Sequence, residues 1–156
     1  MTFNDLSVSW LKNRNGDKMP KRKLVVYFSC ALSGLSPEHR AKMVELRNKF
    51  QKRYKVLEFC GPETPAGDLY RHDIHHCVRV ADFLICICDE RSTGLGYEMG
   101  TGIEKYRKPA VAFARREALV SKVITGIDYP DFSFLRYDNV SQIEKLVYQF
   151  EERFFG

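Results

Sequence analysis

The stretch "ADFLICICDERSTGLGYEMGTGIEKYRKPAVAF", residues 81–113, decides the fold. "FLICIC" is apolar without the polar alternation of a half-exposed strand, as expected of a strand buried on both faces of a parallel sheet. Gly94 and Gly96 break the chain after it, and a helix is expected over residues 96–106. "AVAFA" then reads as a second buried strand. Two such strands joined by a helix form a βαβ unit with a right-handed crossover. Glu98 stands two residues past the last glycine of the turn, where that helix is expected to begin.

The same alternation continues on both sides. "KLVVYFSC" (23–30) is another near-continuous apolar run, followed by "ALSGL" and a helix start at Ser36-Pro37, a capping serine with proline at the first helical position. That helix should run to about residue 54 with Met43, Leu46 and Phe50 on one face. "KVLEF" is a short strand, "CGPETPAG" a loop, and Asp68 is expected to cap a helix reaching about residue 80. "FSFLRY" is a fifth strand, and "VSQIEKLVYQFEERFF" a closing amphipathic helix with Ile143, Leu146, Val147 and Phe150 inward. Together these predict a three-layer α/β, flavodoxin/Rossmann-like fold with a five-stranded parallel sheet in the order 2-1-3-4-5. Such sheets bind ligands at the carboxyl ends of the strands where the order reverses, here between strands one and three. Two turns meet at that point, "SCALSG" and "DERSTGLG".

A chain of 156 residues suits one domain, and 44% hydrophobic with 29% charged residues argues against disorder and coiled coil. No apolar run approaches the ~20 residues of a membrane span. The N-terminus lacks the apolar centre of a signal peptide, so a cytoplasmic location is expected. Residues 1–23 hold six basic and two acidic residues, which places most of the net charge of +5 in the leader. Residues 1–22 are therefore expected to be a basic, flexible leader, with Phe3, Leu6, Trp10 and Leu11 able to form a short docking helix. Residues 23–156 form the domain. A nucleic-acid-binding fold would carry the excess charge on its own surface, so no nucleic-acid partner is expected. Five cysteines without a framework spacing read as reduced thiols. The run from His72 to Cys77 invites a metal reading but has no second ligand group at a recognisable spacing, so no metal is expected.

The two turns supply the candidate binding residues: Ser29, Ser33 and Gly34 from the first, Ser92, Gly94 and Gly96 from the second. Gly94, Gly96 and Gly100 are close to a dinucleotide fingerprint, but they follow the third strand and lack the acidic residue at the end of the next one. Arg115 and Arg116 sit there instead and could suit a 2′-phosphate, which keeps an NADP reading open. A carboxylate at a helix N-terminus is stabilised in its ionised form by about 0.3–1 kcal/mol. At a switch point, an ionised Glu98 is suited to attack an electrophilic carbon, as in glycosidic cleavage. Retaining chemistry needs a second acidic group, for which Asp73 is the candidate. The Tyr27 phenol could hydrogen-bond a neighbouring carboxylate.

"VVYFSCALSG", "YRHD", "ADFLICICDERSTGLGYEMG" and "KPAVAF" together resemble the nucleoside 2-deoxyribosyltransferase family, nearest its 2′-deoxynucleoside 5′-phosphate N-hydrolase branch. The resemblance covers about residues 23–125. It implies that Glu98 is the nucleophile at C1′ of the deoxyribose, that Tyr27 positions it, and that Asp73 handles the departing base. It also implies that Ser92 holds the 5′-phosphate and that Ser121, across a one-residue gap, reaches that phosphate from the neighbouring subunit of a homodimer. The chain departs from the branch after strand one. Ala31 stands for a phosphate-binding serine, Cys30 for a glycine and Ser33 for an arginine, which weakens phosphate holding or reroutes it through Ser33 and backbone amides. Asp73 lies nine residues before Asp82, one more than the resemblance implies, and one residue on a helix turns a side chain by about 100°.

The function expected is hydrolysis of the base–deoxyribose bond of a deoxynucleoside 5′-monophosphate through a covalent ester on Glu98, with no cofactor. A deoxyribosyltransferase using the same intermediate is one alternative. A nucleotide-binding sensor without catalysis is another.

Overall fold

Period-two alternation along the strands sorts their side chains into two cores, one on each face of the sheet. The computed structural model describes residues 22–31, 34–57, 60 and 63–156. In chain order the elements are β1 (Val25–Cys30), α1 (Pro37–Arg53), β2 (Lys55–Leu57), α2 (Ala66–Tyr70) continuing into a π-helical segment (Arg71–Val78), β3 (Phe83–Ile87), α3 (Thr93–Glu104), β4 (Ala110–Arg115), α4 (Lys122–Thr125), β5 (Phe132–Tyr137) and α5 (Ser141–Phe155). The strands are parallel and ordered β2-β1-β3-β4-β5, as the alternation of elements implies. No helix among the described residues is long and apolar enough to cross a membrane.

Val26 and Phe28 of β1, Phe83, Ile85 and Ile87 of β3, and Val111 and Phe113 of β4 pack against α1 and α5. Met43, Leu46 and Phe50 come from α1, and Ile143, Val147 and Phe150 from α5; Leu146 is only half-buried. The alternate strand positions, Tyr27, Leu84, Cys86, Ala110 and Ala112, face the π-helical segment and α3. Small residues on that face let α3 lie close. A Cβ on Gly102 would meet Leu84 Cδ1 at 2.3 Å and Val78 Cγ1 at 3.3 Å, so this glycine sets the helix-to-sheet distance. Cys86 and Cys88 share this face as buried residues, and none of the five cysteines is in a disulfide.

The helix boundaries follow their caps. Ser36 Oγ accepts from the His39 amide at 3.2 Å and Pro37 opens α1, as expected. Two boundaries differ from the sequence reading. α2 starts at Ala66 after Pro65, which puts Asp68 inside the first turn and not at the cap. α3 starts at Thr93 and not at Gly96. α5 follows Val140 as expected, with the Asn139 side chain accepting from the Ser141 amide at 3.0 Å. Most of the leader, residues 1–21, lies outside the described residues, including the short helix expected there. Arg22, assigned to the leader by sequence, is held by the body: its guanidinium donates twice to Asp82, at 2.7 Å each. Asp82 also accepts from the Val25 amide at 2.7 Å, which ties the start of β1 to the start of β3.

Candidate active site

The pleat of β1 sends Tyr27 and Ser29 to the same face of the sheet, toward α3, while Val26 and Phe28 go to the other. Glu98 meets them there. Ser29 Oγ donates a hydrogen bond to Glu98 Oε2, and the Tyr27 phenol lies near enough to the same carboxylate to favour its ionised form. Glu98 is half-buried, whereas Tyr27 and Ser29 are buried. Burial and the carboxylates of Glu98 and Asp73 push the Tyr27 phenol up, so it stays protonated and acts as a donor.

The electrostatic state of Glu98 differs from the one the sequence suggested. Ser92, not the glycines, begins the helix: its Oγ accepts from the Leu95 amide at 3.2 Å. Glu98 therefore lies beyond the first turn of α3, where the pull of the helix N-terminus has largely faded. Burial raises its pKa above the ordinary glutamate value, and the Asp73 carboxylate adds to the rise. The bonds from Ser29 and Tyr27 oppose it without cancelling it. The carboxylate is thus kept ionisable by two hydroxyl donors and not by the helix dipole.

Asp73 comes from the π-helical segment, where one additional residue per turn is absorbed by the wider winding. The wider winding turns successive side chains by less than the ~100° of a regular α-helix, and Asp73 is buried on it. Asp73 is 8% exposed and acts on both Glu98 and Tyr27 as a negatively charged neighbour. Its Oδ1 lies 3.0 Å from His72 Nδ1. Cys60, from the segment after β2, completes a cluster with His72 and Asp73 in which the candidate ligand atoms lie within 4.8 Å of one another. No spacing rule joins Cys60 to His72, and the sequence reading missed it. His75 and His76 are exposed and are not part of that group, although the His76 ring lies 5.8 Å from that of His72.

A second buried group anchors the turn after β3. Asp89, with its side chain 1% exposed, accepts from the Tyr137 hydroxyl and from the Arg115 amide at 2.7 Å, and faces His39 Nε2 at 2.7 Å. It joins the end of β3 to β4, β5 and α1, a role that its place at a strand end does not by itself reveal. Arg115 pairs with Glu90 at 3.2 Å and Arg116 with Asp138 at 2.6 Å, so both arginines considered for a 2′-phosphate already hold carboxylates. Gly34 has φ of +93°, and a Cβ there would stand 3.4 Å from Glu90 Oε2, so glycine suits both the backbone and the space.

The remaining candidates lie along the N-terminal end of α3. Ser92 and Ser121 line a common cavity of about 290 Å³ with Cys88, Arg91 and Leu95. Ser121 thus stands beside Ser92 within one chain, where its Oγ accepts from the Val123 amide at 3.3 Å at the start of α4. Ser92, Gly96 and Ser121 also border a groove of about 440 Å³ whose walls include Met99, Ile103 and Ile124. A Cβ on Gly94 would touch only Ser92 Oγ, at 3.8 Å, and one on Gly96 would meet nothing within 4 Å. Leu119 and Val123 are 76% and 82% exposed, while Val120 between them is half-buried. Ser33 lies outside the described residues.

No protein-family model matches the chain, and no curated protein matches it. Among solved structures it is similar to the Francisella novicida lysine decarboxylase LdcF, with a TM-score of 0.54 and 9% sequence identity over 86% of this chain. The chain spans 18% of that structure's length. At such low identity the likeness shows the α/β fold alone.

Proposed function

We propose that the protein is an N-glycosidase that hydrolyses the base–deoxyribose bond of a 2′-deoxynucleoside 5′-monophosphate. The observation that carries the reading is the half-buried Glu98 carboxylate held by the Ser29 hydroxyl, with the Asp73 carboxylate near enough to raise its pKa. Burying a carboxylate costs free energy that a binding module need not incur, whereas a nucleophile beside a second acid gives that buried carboxylate a use.

Glu98 attacks C1′ as the bond to the base breaks, giving an ester between the carboxylate and the sugar. Asp73, as the acid, gives a proton to the departing base. Water then attacks C1′, Asp73 takes the proton from it, and the products are deoxyribose 5-phosphate and ionised Glu98. Tyr27 and Ser29 orient the carboxylate and keep it ionised. The sugar phosphate is received at the start of α3. There the Ser92 hydroxyl can donate to it while still accepting from Leu95, beside the amides of Thr93 and Gly94. Gly96 borders the groove next to Ser92.

The chain is proposed to act as a homodimer in which Ser121 completes the phosphate site. The exposed Leu119 and Val123, beside an apolar-walled groove along α3, favour a covered interface there. Chromatography of nucleosides and 5′-monophosphates incubated with the protein, with and without an acceptor base, tests the reading. Free base from the monophosphates is expected, lost in Glu98→Gln, and the preference for monophosphates should be lost in Ser92→Ala. Transfer to the added base would make the protein a transferase, and binding without turnover would overturn the enzymatic reading.

A further inference from the structure

Cys60, His72 and Asp73 combine a thiol, an imidazole and a carboxylate at one point, with their ligand atoms mutually within 4.8 Å. Zinc takes sulfur at about 2.3 Å and nitrogen or oxygen at about 2.0–2.2 Å, and tetrahedral angles then separate the ligand atoms by roughly 3.3–3.7 Å. The tightest pair, His72 Nδ1 and Asp73 Oδ1 at 3.0 Å, must open slightly, and the loosest must close by about an ångström. Side-chain torsions cover both movements. Sulfur and nitrogen donors disfavour magnesium and calcium, which select oxygen, and favour a thiophilic ion.

Two further observations favour a cation at this point. The Asp73 carboxylate acts on Glu98 as a like charge, and among the described residues no cation acts on Glu98, so a divalent ion at Asp73 would offset that repulsion. The Cys77 sulfur lies 3.6 Å from His72 Nδ1, a second soft donor immediately behind the imidazole. The π-helical winding contributes as well: His72 and Asp73 are adjacent in sequence, and a wider turn reduces the angle between consecutive side chains.

The geometry points to a site at Cys60, His72 and Asp73 for one thiophilic divalent cation of the zinc type, whose occupancy removes Asp73 from the reaction centre. The first half stands on the cluster alone. The second rests on the proposed role of Asp73 as the catalytic acid. Three protein ligands leave a fourth position for water or for an incoming group. Metal binding also releases the proton of the Cys60 thiol, so the ion competes with protons as well as with substrate.

Cobalt(II) titration of the reduced, chelator-treated full-length chain reads the site directly. One equivalent per chain should give a thiolate-to-cobalt charge-transfer band and intense tetrahedral visible bands, both removed by zinc. Cys60→Ala should abolish the charge-transfer band and His72→Ala should weaken cobalt binding at least about tenfold, a loss typical of a disturbed metal site. Cys30→Ala should change neither. Absence of the band, or its persistence in Cys60→Ala with circular dichroism unchanged, overturns the site. Base release is then followed with added zinc, which should inhibit the natural chain and spare Cys60→Ala. Cobalt binding without inhibition leaves the cation site standing and removes its coupling to Asp73. A metal-free chain that releases no base defeats the glycosidase reading, while the cobalt titration still decides the cation site.

Discussion

Replacing Ser29 with alanine removes one hydroxyl from a buried strand position and leaves the rest of the cleft in place. Ser29 is 5% exposed, and its Oγ donates to Glu98 Oε2. A hydrogen bond to an ionised partner contributes about 1.5–3 kcal/mol. Glu98 keeps its bond from Tyr27 and is partly open to water, so the lower end applies. About 1.5 kcal/mol corresponds to roughly a tenfold fall in the acid dissociation constant of Glu98. Burial already holds that carboxyl above the ordinary glutamate range, and Ser29→Ala moves it further in the same direction. Catalysis by ionised Glu98 then falls about tenfold on the acid side of the pH profile and converges with the natural chain at higher pH. Carbon-detected NMR titration of the glutamate carboxyls, assigned with Glu98→Gln, measures the ionisation without reference to activity. If Glu98 titrates at the same pH with and without the Ser29 hydroxyl, the bond does not support the carboxylate and the account of the cleft is wrong.

Three other outcomes follow from the same structure. A raised folded pKa means that Glu98 contributes stability below the unfolded glutamate value of about 4.3 and loses it as pH rises through the folded value. Glu98→Gln should therefore melt at or above the temperature of the natural chain at neutral pH while turnover drops by orders of magnitude; a melting point several degrees lower would contradict the sign. Asp82 shows the opposite case: burial opposes its ionisation, but Arg22 and the Val25 amide outweigh that and hold its pKa below the usual aspartate value. Its contribution is present above about pH 4 and is lost as pH falls through the lower folded value. Urea midpoints should thus show the natural chain losing its advantage over Asp82→Asn only in that acid window. Gly102→Ala forces a Cβ to within 2.3 Å of Leu84 Cδ1. Overpacking of about 1–3 kcal/mol exceeds the roughly 1 kcal/mol helix gain of alanine over glycine. A stabilised variant would show that the core yields freely at this point.

The sheet order and both faces of the core were legible in the chain because they depend on periodicity. A period of two sorts Val26 and Phe28 from Tyr27 and Ser29, and a period near 3.6 places Met43, Leu46 and Phe50 on one side of α1. The switch point between β1 and β3 follows from the strand order, so the neighbourhood of Tyr27, Ser29, Ser92 and Glu98 was available from sequence. The start of α3 was misplaced because glycine content was weighed above the capping serine at position 92. The ionisation of Glu98 depended in turn on that start and on burial, neither of which is a local property. The orientation of Asp73 depends on a π-helical winding stabilised by packing between β3 and α3, and no local pattern encodes it. Cys60 meets His72 and Asp73 only in the folded chain, across a separation in sequence that no spacing rule covers. The sequence by itself thus determined the layers, the strand order and the end of the sheet where chemistry can occur, since periodicity and capping are local. Tertiary structure alone decided which side chains share the cleft and in what charge state, because distance and desolvation arise only when distant segments pack together.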